Sequence, residues 1–254
     1  SYVFKTNNYG KSWTKIVNGL DDPNGFVRVV RADKKREGLL YAGAETGLWV
    51  SNNDGAYWHR LQLNLPRVAI NDLIIQDNDL VAATSGRGFW ILDDLGVLQH
   101  KNTDKKPIAL FKPKPSYRIF GGTSKATGQG QNPKSGVTVD YYLDRPADSL
   151  RLKLEVLQNS EVIRTYSNKK QKEFKSWPGG PSKPQILPSK KGYNRFTWDF
   201  KRAELPAIHK VFIFGGLSGS NVAPGSYTLR LKLEEDSVET VVTILANPSV
   251  KSIP

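Results

Sequence analysis

Few residues of this sequence are of types and spacings that do covalent chemistry. Asp93 and Asp94 are adjacent carboxylates, and paired carboxylates are the machinery of glycoside hydrolysis, where they face each other across a sugar at about 5–9.5 Å. Neighbouring residues of a strand point to opposite faces, so this pair predicts a turn instead of an acid and a base. His59, His100 and His209 are the only histidines; none has the close partner of a zinc-binding helix, and each reads as a surface or turn residue. There is no GxxxxGK phosphate loop, and GGTSKATGQGQ, residues 121–131, has no strand-turn-helix unit around it. The absence of cysteine excludes disulfides and thiolate metal sites. These residues imply no metal and no cofactor.

The most patterned polar residues do turn chemistry. TNNYGKSWTKI, residues 6–16, is nearly repeated as SNNDGAYWHRL, residues 51–61. Thr6, Asn8, Gly10 and Trp13 thus correspond to Ser51, Asn53, Gly55 and Trp58, 45 residues later. The hydroxyl and the Asn side chain can satisfy backbone amides within the turn, and Gly can take a positive φ without a Cβ penalty. The tryptophan then returns to a sheet, where its large ring is expected to be buried. Because the polar groups are consumed locally, the box reads as a structural device, with ligand contact by Asn8 or Asn53 the lesser alternative.

The elements that position these boxes are predicted to be hairpins. LLYAGAETGLWVS, residues 39–51, reads as two short strands around a turn, and DLVAATSGRGFWILDD, residues 79–94, repeats the plan with one extra loop residue. A period near 45 residues is typical of propellers and solenoids. At 40–45 residues per blade, residues 1–100 supply two blades and the tail of a third, whereas closed propellers need at least four.

The two boxes resemble the Asp-box, or BNR repeat, of sialidases, some xyloglucanases and sortilin-type receptors, with Asn in place of the usual Asp. The resemblance implies a turn on the outside of a β-propeller, away from the central funnel where ligands bind. ATSGRGFWILDDLGVL, ALFKPKPSYRI and GQNPKSGVTVDYYL together resemble the C-terminal end of large exported bacterial BNR-repeat proteins, often described as sortilin-like or glycosyl-hydrolase-like. In similar proteins a His commonly precedes GRGFW; Ser85 stands there in this chain, so no role of that imidazole carries over. Nor is the arginine cluster of a sialidase visible, since Arg28, Arg31, Arg60, Arg67 and Arg87 are scattered.

The second part reads as a β-sandwich. VTVDYYL, SLRLKLEV and SYTLRLKLE alternate apolar and polar residues, so that one face of each strand can enter a core while Arg151, Lys153, Arg230 and Lys232 stay hydrated. GYNRFTWDF, residues 192–200, adds a strand with a core Trp198. Strands at this spacing suggest an Ig-like sandwich. GYNRFTWDF and APGSYTLRL resemble Ig-like modules of flagellar hook-capping proteins and of secreted bacterial proteins, which implies a structural or docking unit. The expected organisation is all-β: a partial propeller at 1–100, a basic Pro/Gly-rich linker at 101–130, and an Ig-like sandwich at 131–250 with a long basic loop at 168–191.

Charge divides along the same line. Residues 1–100 hold 11 Lys/Arg and 11 Asp/Glu, and residues 101–254 hold 26 and 13, so the net +13 lies wholly in the second part. Lys169, Lys170, Lys172, Lys175, Trp177, Lys190 and Lys191 are the candidate contacts for a polyanion. Such a loop could stack single-stranded nucleic acid, but an anionic glycan, an acidic protein or a lipopolysaccharide-rich envelope suits the architecture better. No apolar run is long enough to span a membrane and no signal peptide is visible; the chain opens at Ser1 inside a repeat, so a targeting segment would lie upstream. Taken with the resemblance, the expectation is an exported, non-catalytic interaction or scaffolding protein. It would bind a protein or glycan through a propeller completed by upstream blades or another chain. The alternative is a carbohydrate-active hydrolase whose catalytic residues lie on the missing blades.

Overall fold

The computed structural model describes residues 2–20, 25–100, 106–119, 134–169 and 177–250. The chain is all-β apart from one short helix and divides into two compact units, Ser1–Lys101 and Asn102–Pro254.

The first unit is a succession of antiparallel sheets. β1 (Phe4–Lys5) pairs with β2 (Thr14–Lys15). β3 (Val27–Ala32), β4 (Leu40–Ala44), β5 (Gly47–Ser51) and β6 (His59–Arg60) form a four-stranded meander. β7 (Ile70–Gln76), β8 (Asp79–Thr84) and β9 (Phe89–Leu92) form a three-stranded one, followed by the helix α1 (Gly96–Gln99). The repetition extends to register. Phe4 faces Lys15 and Lys5 faces Thr14, as Trp49 faces Arg60 and Val50 faces His59. β3 and β7 both carry a bulge at the same place, between Val27 and Val29 and between Ile70 and Asp72.

The central strands of the four-stranded sheet are buried on both faces, to which alternate residues point. Ala42, Ala44, Trp49 and Trp58 form one core with Ile16 and Leu20 of the preceding repeat. Tyr41, Leu48 and Val50, on the other face of the same sheet, pack with Ile70, Leu73 and Leu80 of the following one.

The second unit is a sandwich of two sheets. β10 (Ile108–Leu110), β12 (Val137–Leu143) and β15 (Gly192–Trp198) make one. β11 (Ser116–Tyr117), β17 (Asp236–Leu245), β16 (Gly225–Leu233), β13 (Leu152–Gln158) and β14 (Glu161–Ser167) make the other, in that order, with β11 parallel to β17. Their inner faces share a single core, including Val139, Tyr141, Leu154, Val156, Leu229, Leu231 and the fully buried Trp198. The Trp198 indole N–H donates to Lys201 O at 2.9 Å.

Two expectations change. The stretch 101–130, expected as linker, contributes β10 and β11 to the sandwich sheets, and Ile108 is buried in the core; its residues 101–105 and 120–130 lie outside the described ones. Trp13, expected to be buried, is 60% exposed, whereas Trp58 is 1% exposed. The difference is what lies next to each ring: Trp58 packs on Ile16 and Leu20 of the preceding repeat, and no described element occupies that place for Trp13.

Candidate functional site

The two boxes are built alike, atom for atom. In the first, the Gly10 N–H donates to Thr6 Oγ1 at 2.8 Å and the Ser12 N–H donates to Asn8 Oδ1 at 2.9 Å. The second has the Gly55 N–H on Ser51 Oγ at 2.9 Å and the Tyr57 N–H on Asn53 Oδ1 at 2.9 Å. In both the hydroxyl also donates to the Asn side chain, at 3.1 and 3.0 Å. Gly10 and Gly55 take φ of 86° and 85°, which glycine alone adopts without strain. Box polar groups are thereby turned inward on their own turns.

The preceding repeat caps the second box. The Trp58 indole N–H donates to Ile16 O at 3.0 Å, and the Trp58 backbone N–H donates to Asn18 O at 2.8 Å. Lys5 pairs with Asp54. A Cβ at Gly55 would stand 2.5 Å from Ile16 Cδ1, so the contact is closely packed.

Several of the other candidate groups are committed to structure. Asp94 follows β9 in a turn at φ 57°; its Oδ1 accepts from the Gly96 N–H at 3.0 Å and from Asn78 Nδ2 at 3.1 Å. Arg28 pairs with Glu45 and Arg31 with Asp72, each within 2.6 Å, while Arg60 donates to Thr46 O and lies over the Trp49 ring. His59 leans on Tyr57, and His209 on Trp177. Among the described residues no group of three or more His, Asp or Glu is placed to hold a metal ion.

Lys169 donates through Nζ to Asp148 O at 2.7 Å. The Trp177 indole N–H donates to Val211 O at 2.9 Å, whereas Lys190 and Lys191 are exposed beside the start of β15. Lys170, Lys172 and Lys175 lie outside the described residues.

Two features have no motif in the sequence. One is a polar network around Asp33, whose carboxylate accepts from Gln99 Nε2 at 3.0 and 3.2 Å, from the Lys35 and Arg36 amides at 2.8 Å, and from the Tyr41 hydroxyl at 3.1 Å. Partial burial opposes ionisation of Asp33, but the hydrogen bonds from Gln99, the two amides and Tyr41 outweigh it and hold its pKa below the ordinary value. Burial, with Asp33 beside it, pushes the Tyr41 hydroxyl far up. The other is an open apolar cleft lined by Leu61, Gln62, Leu65, Leu80, Ala82 and Trp90, among others.

No protein-family model matches the chain, and no curated protein matches it. Solved structures similar to it include two of the extracellular domain of BT4673 from B. thetaiotaomicron, described in one case as a one-component system and in the other as a hybrid two-component system. Both are 11% identical over 96% of this chain, with TM-scores of 0.30 and 0.29. The chain spans 28% of the length of those structures.

Proposed function

We propose that this chain belongs to an exported, non-catalytic interaction or scaffolding protein of the bacterial cell envelope or secretome. In this reading the first unit is a run of Asp-box blades at the end of a β-propeller completed by residues outside this chain, and the second is an Ig-like docking module.

The carrying observation is the equivalence of β1–β2 with β5–β6. In the second repeat, β5 has β4 on one side and β6 on the other; β1 pairs only with β2 among the described strands. An edge strand presents unpaired backbone groups, and beside it Trp13 leaves an indole largely in water. The edge is paired if an upstream strand of the same sheet stands where β4 does, and Trp13 is covered if a preceding repeat packs on it as Ile16 and Leu20 pack on Trp58. The non-catalytic part is supported by the box polar groups, Arg28, Arg31, Arg60 and Asp94, which are engaged in turns and sheet contacts. A protein or anionic-glycan ligand would be bound by the completed propeller, with the basic second unit contributing salt-dependent attraction.

Oxidative footprinting of the complete native protein tests this. Trp13 is expected to be as protected as Trp58; a Trp13 that oxidises as readily as a free indole overturns the completed propeller. Release of reducing ends from a panel of polysaccharides would overturn the non-catalytic reading.

A further inference from the structure

The third repeat lacks a tryptophan for which its fold leaves room. Trp58 sits in a socket walled by Ile16 and Leu20 of the repeat before it and by Leu40, Ala42 and Trp49 of its own. One repeat later, Leu61 and Leu65 stand 45 residues after Ile16 and Leu20. Leu80 and Ala82 stand 40 residues after Leu40 and Ala42, and Trp90 stands 41 after Trp49, across the one extra loop residue. Register supports the correspondence: Ala82 faces Trp90 as Ala42 faces Trp49, and Leu80 faces Leu92 as Leu40 faces Ser51. All five counterparts line the single open cleft described above. No box follows β9, because the chain leaves it through Asp93 and Asp94 into α1.

The cleft also keeps the socket's hydrogen-bond acceptor. The counterpart of Ile16 O, which accepts the Trp58 indole N–H, is Leu61 O, and no hydrogen bond among the described residues reaches it. Gln62, at the cleft rim, has its Nε2 held by Leu65 O and Pro66 O at 2.7 and 2.9 Å, and its Oε1 is buried beside Gly47 without a partner. An unpaired carbonyl at the counterpart of Ile16 O favours an occupant that carries an N–H.

The strand beside the cleft is open as well. In the second repeat, the two residues after Trp58 form β6 and pair with β5 at Trp49 and Val50. The corresponding edge, that of β9 at Trp90 and Ile91, has no partner among the described strands. Trp13 of a second copy is not the occupant, because Thr14 and Lys15, which would have to follow it onto β9, use that same strand edge to pair with β1.

We propose that the cleft and the β9 edge bind an extended segment of a partner protein that begins with tryptophan. Its indole fills the cleft and donates to Leu61 O, and the next two residues add a strand antiparallel to β9. The cleft is built wholly within the first unit.

The test is calorimetric titration of the 254-residue chain with a capped peptide copying residues 57–62, Tyr-Trp-His-Arg-Leu-Gln, alongside hydrogen exchange. Saturable binding is expected, with new protection at the Trp90 and Ile91 amides, and about tenfold or greater weakening when the peptide tryptophan is alanine. Ala82→Leu, which fills the cleft floor, is expected to weaken binding as much with an unchanged melting temperature; if that variant melts early, Ala82→Val takes its place. No binding, equal binding of the Trp and Ala peptides, or binding that survives the filled cleft overturns the proposal. Free indole that binds as tightly as the peptide overturns it in favour of a small aromatic ligand.

Discussion

Replacing Trp58 by alanine is expected to cost the first unit about 3–5 kcal/mol, the range for a large buried aromatic. The ring is 1% exposed; removing roughly 150–250 Å² of apolar surface from water at about 25 cal/mol per Å² gives about 4–6 kcal/mol as an upper figure. Partial collapse of Ile16 and Leu20 into the space lowers it, and loss of the hydrogen bond to Ile16 O adds about 1 kcal/mol. Trp13→Ala in the same chain removes an equivalent ring that is 60% exposed and should change stability by about 0.5 kcal/mol or less. Urea unfolding followed by far-ultraviolet circular dichroism measures both without relying on tryptophan emission. Because the chain has two units, the data should be fitted to two transitions, with only one shifted. A Trp58→Ala cost near that of Trp13→Ala would refute the claim that one repeat caps the next.

Three further outcomes follow from local geometry. Gly10 and Gly55 share the same left-handed φ, but a Cβ at Gly10 meets nothing closer than the Trp13 ring at 3.8 Å, whereas at Gly55 it meets Ile16 at 2.5 Å; Gly55→Ala should therefore cost about 1–2 kcal/mol more in urea unfolding. Asp33 has a depressed pKa, so its contribution is complete above its ordinary 3.8 and fades as pH falls through the lower folded value. Asp33→Asn should remove that acid-dependent part from thermal melts recorded between about pH 2 and 5. In the sandwich, Arg195 donates to both oxygens of the buried Asp140 at 2.7 and 2.9 Å; Arg195→Ala leaves that carboxylate short of its charged partner and should cost about 2 kcal/mol, read from the other transition.

The boxes were legible because their physics is local: a hydroxyl, an Asn and a Gly at fixed spacing satisfy one turn with no help from the rest of the chain. The long alternating strands of the sandwich were legible for a similar reason, as β12 and β16 write their inward faces in period two. The exposure of Trp13 was not, since an identical residue in an identical turn is buried or bare according to what packs on it. β10 and β11 were hidden by the lysines and prolines around them, being three and two residues long, too short to show a period. At the ends of the basic loop, the partners of Lys169 and Trp177, Asp148 O and Val211 O, lie far along the chain and cannot be read from composition. The cleft left no motif, because what marks it is a residue that is missing.

That missing residue traces to a few substitutions. Aligning GLWVSNNDG with GFWILDDLG places Leu92 at the Ser51 position, Asp94 at Asn53 and Leu95 at Asp54. Ser51 Oγ receives the Gly55 N–H and orients Asn53; a leucine can do neither. Deprived of that hydroxyl, Asp94 accepts from the amide two residues on, at Gly96, where Asn53 accepts from the amide four residues on, at Tyr57. The tighter turn sends the chain into α1 instead of back along the sheet, and Leu95 is buried at 0% exposure. Gln99, at the end of α1, then donates to Asp33 and Asn78, which fastens the chain to the polar network and away from the β9 edge. The same exchange that anchors the end of the third repeat therefore leaves its tryptophan socket and its last strand position open to a partner.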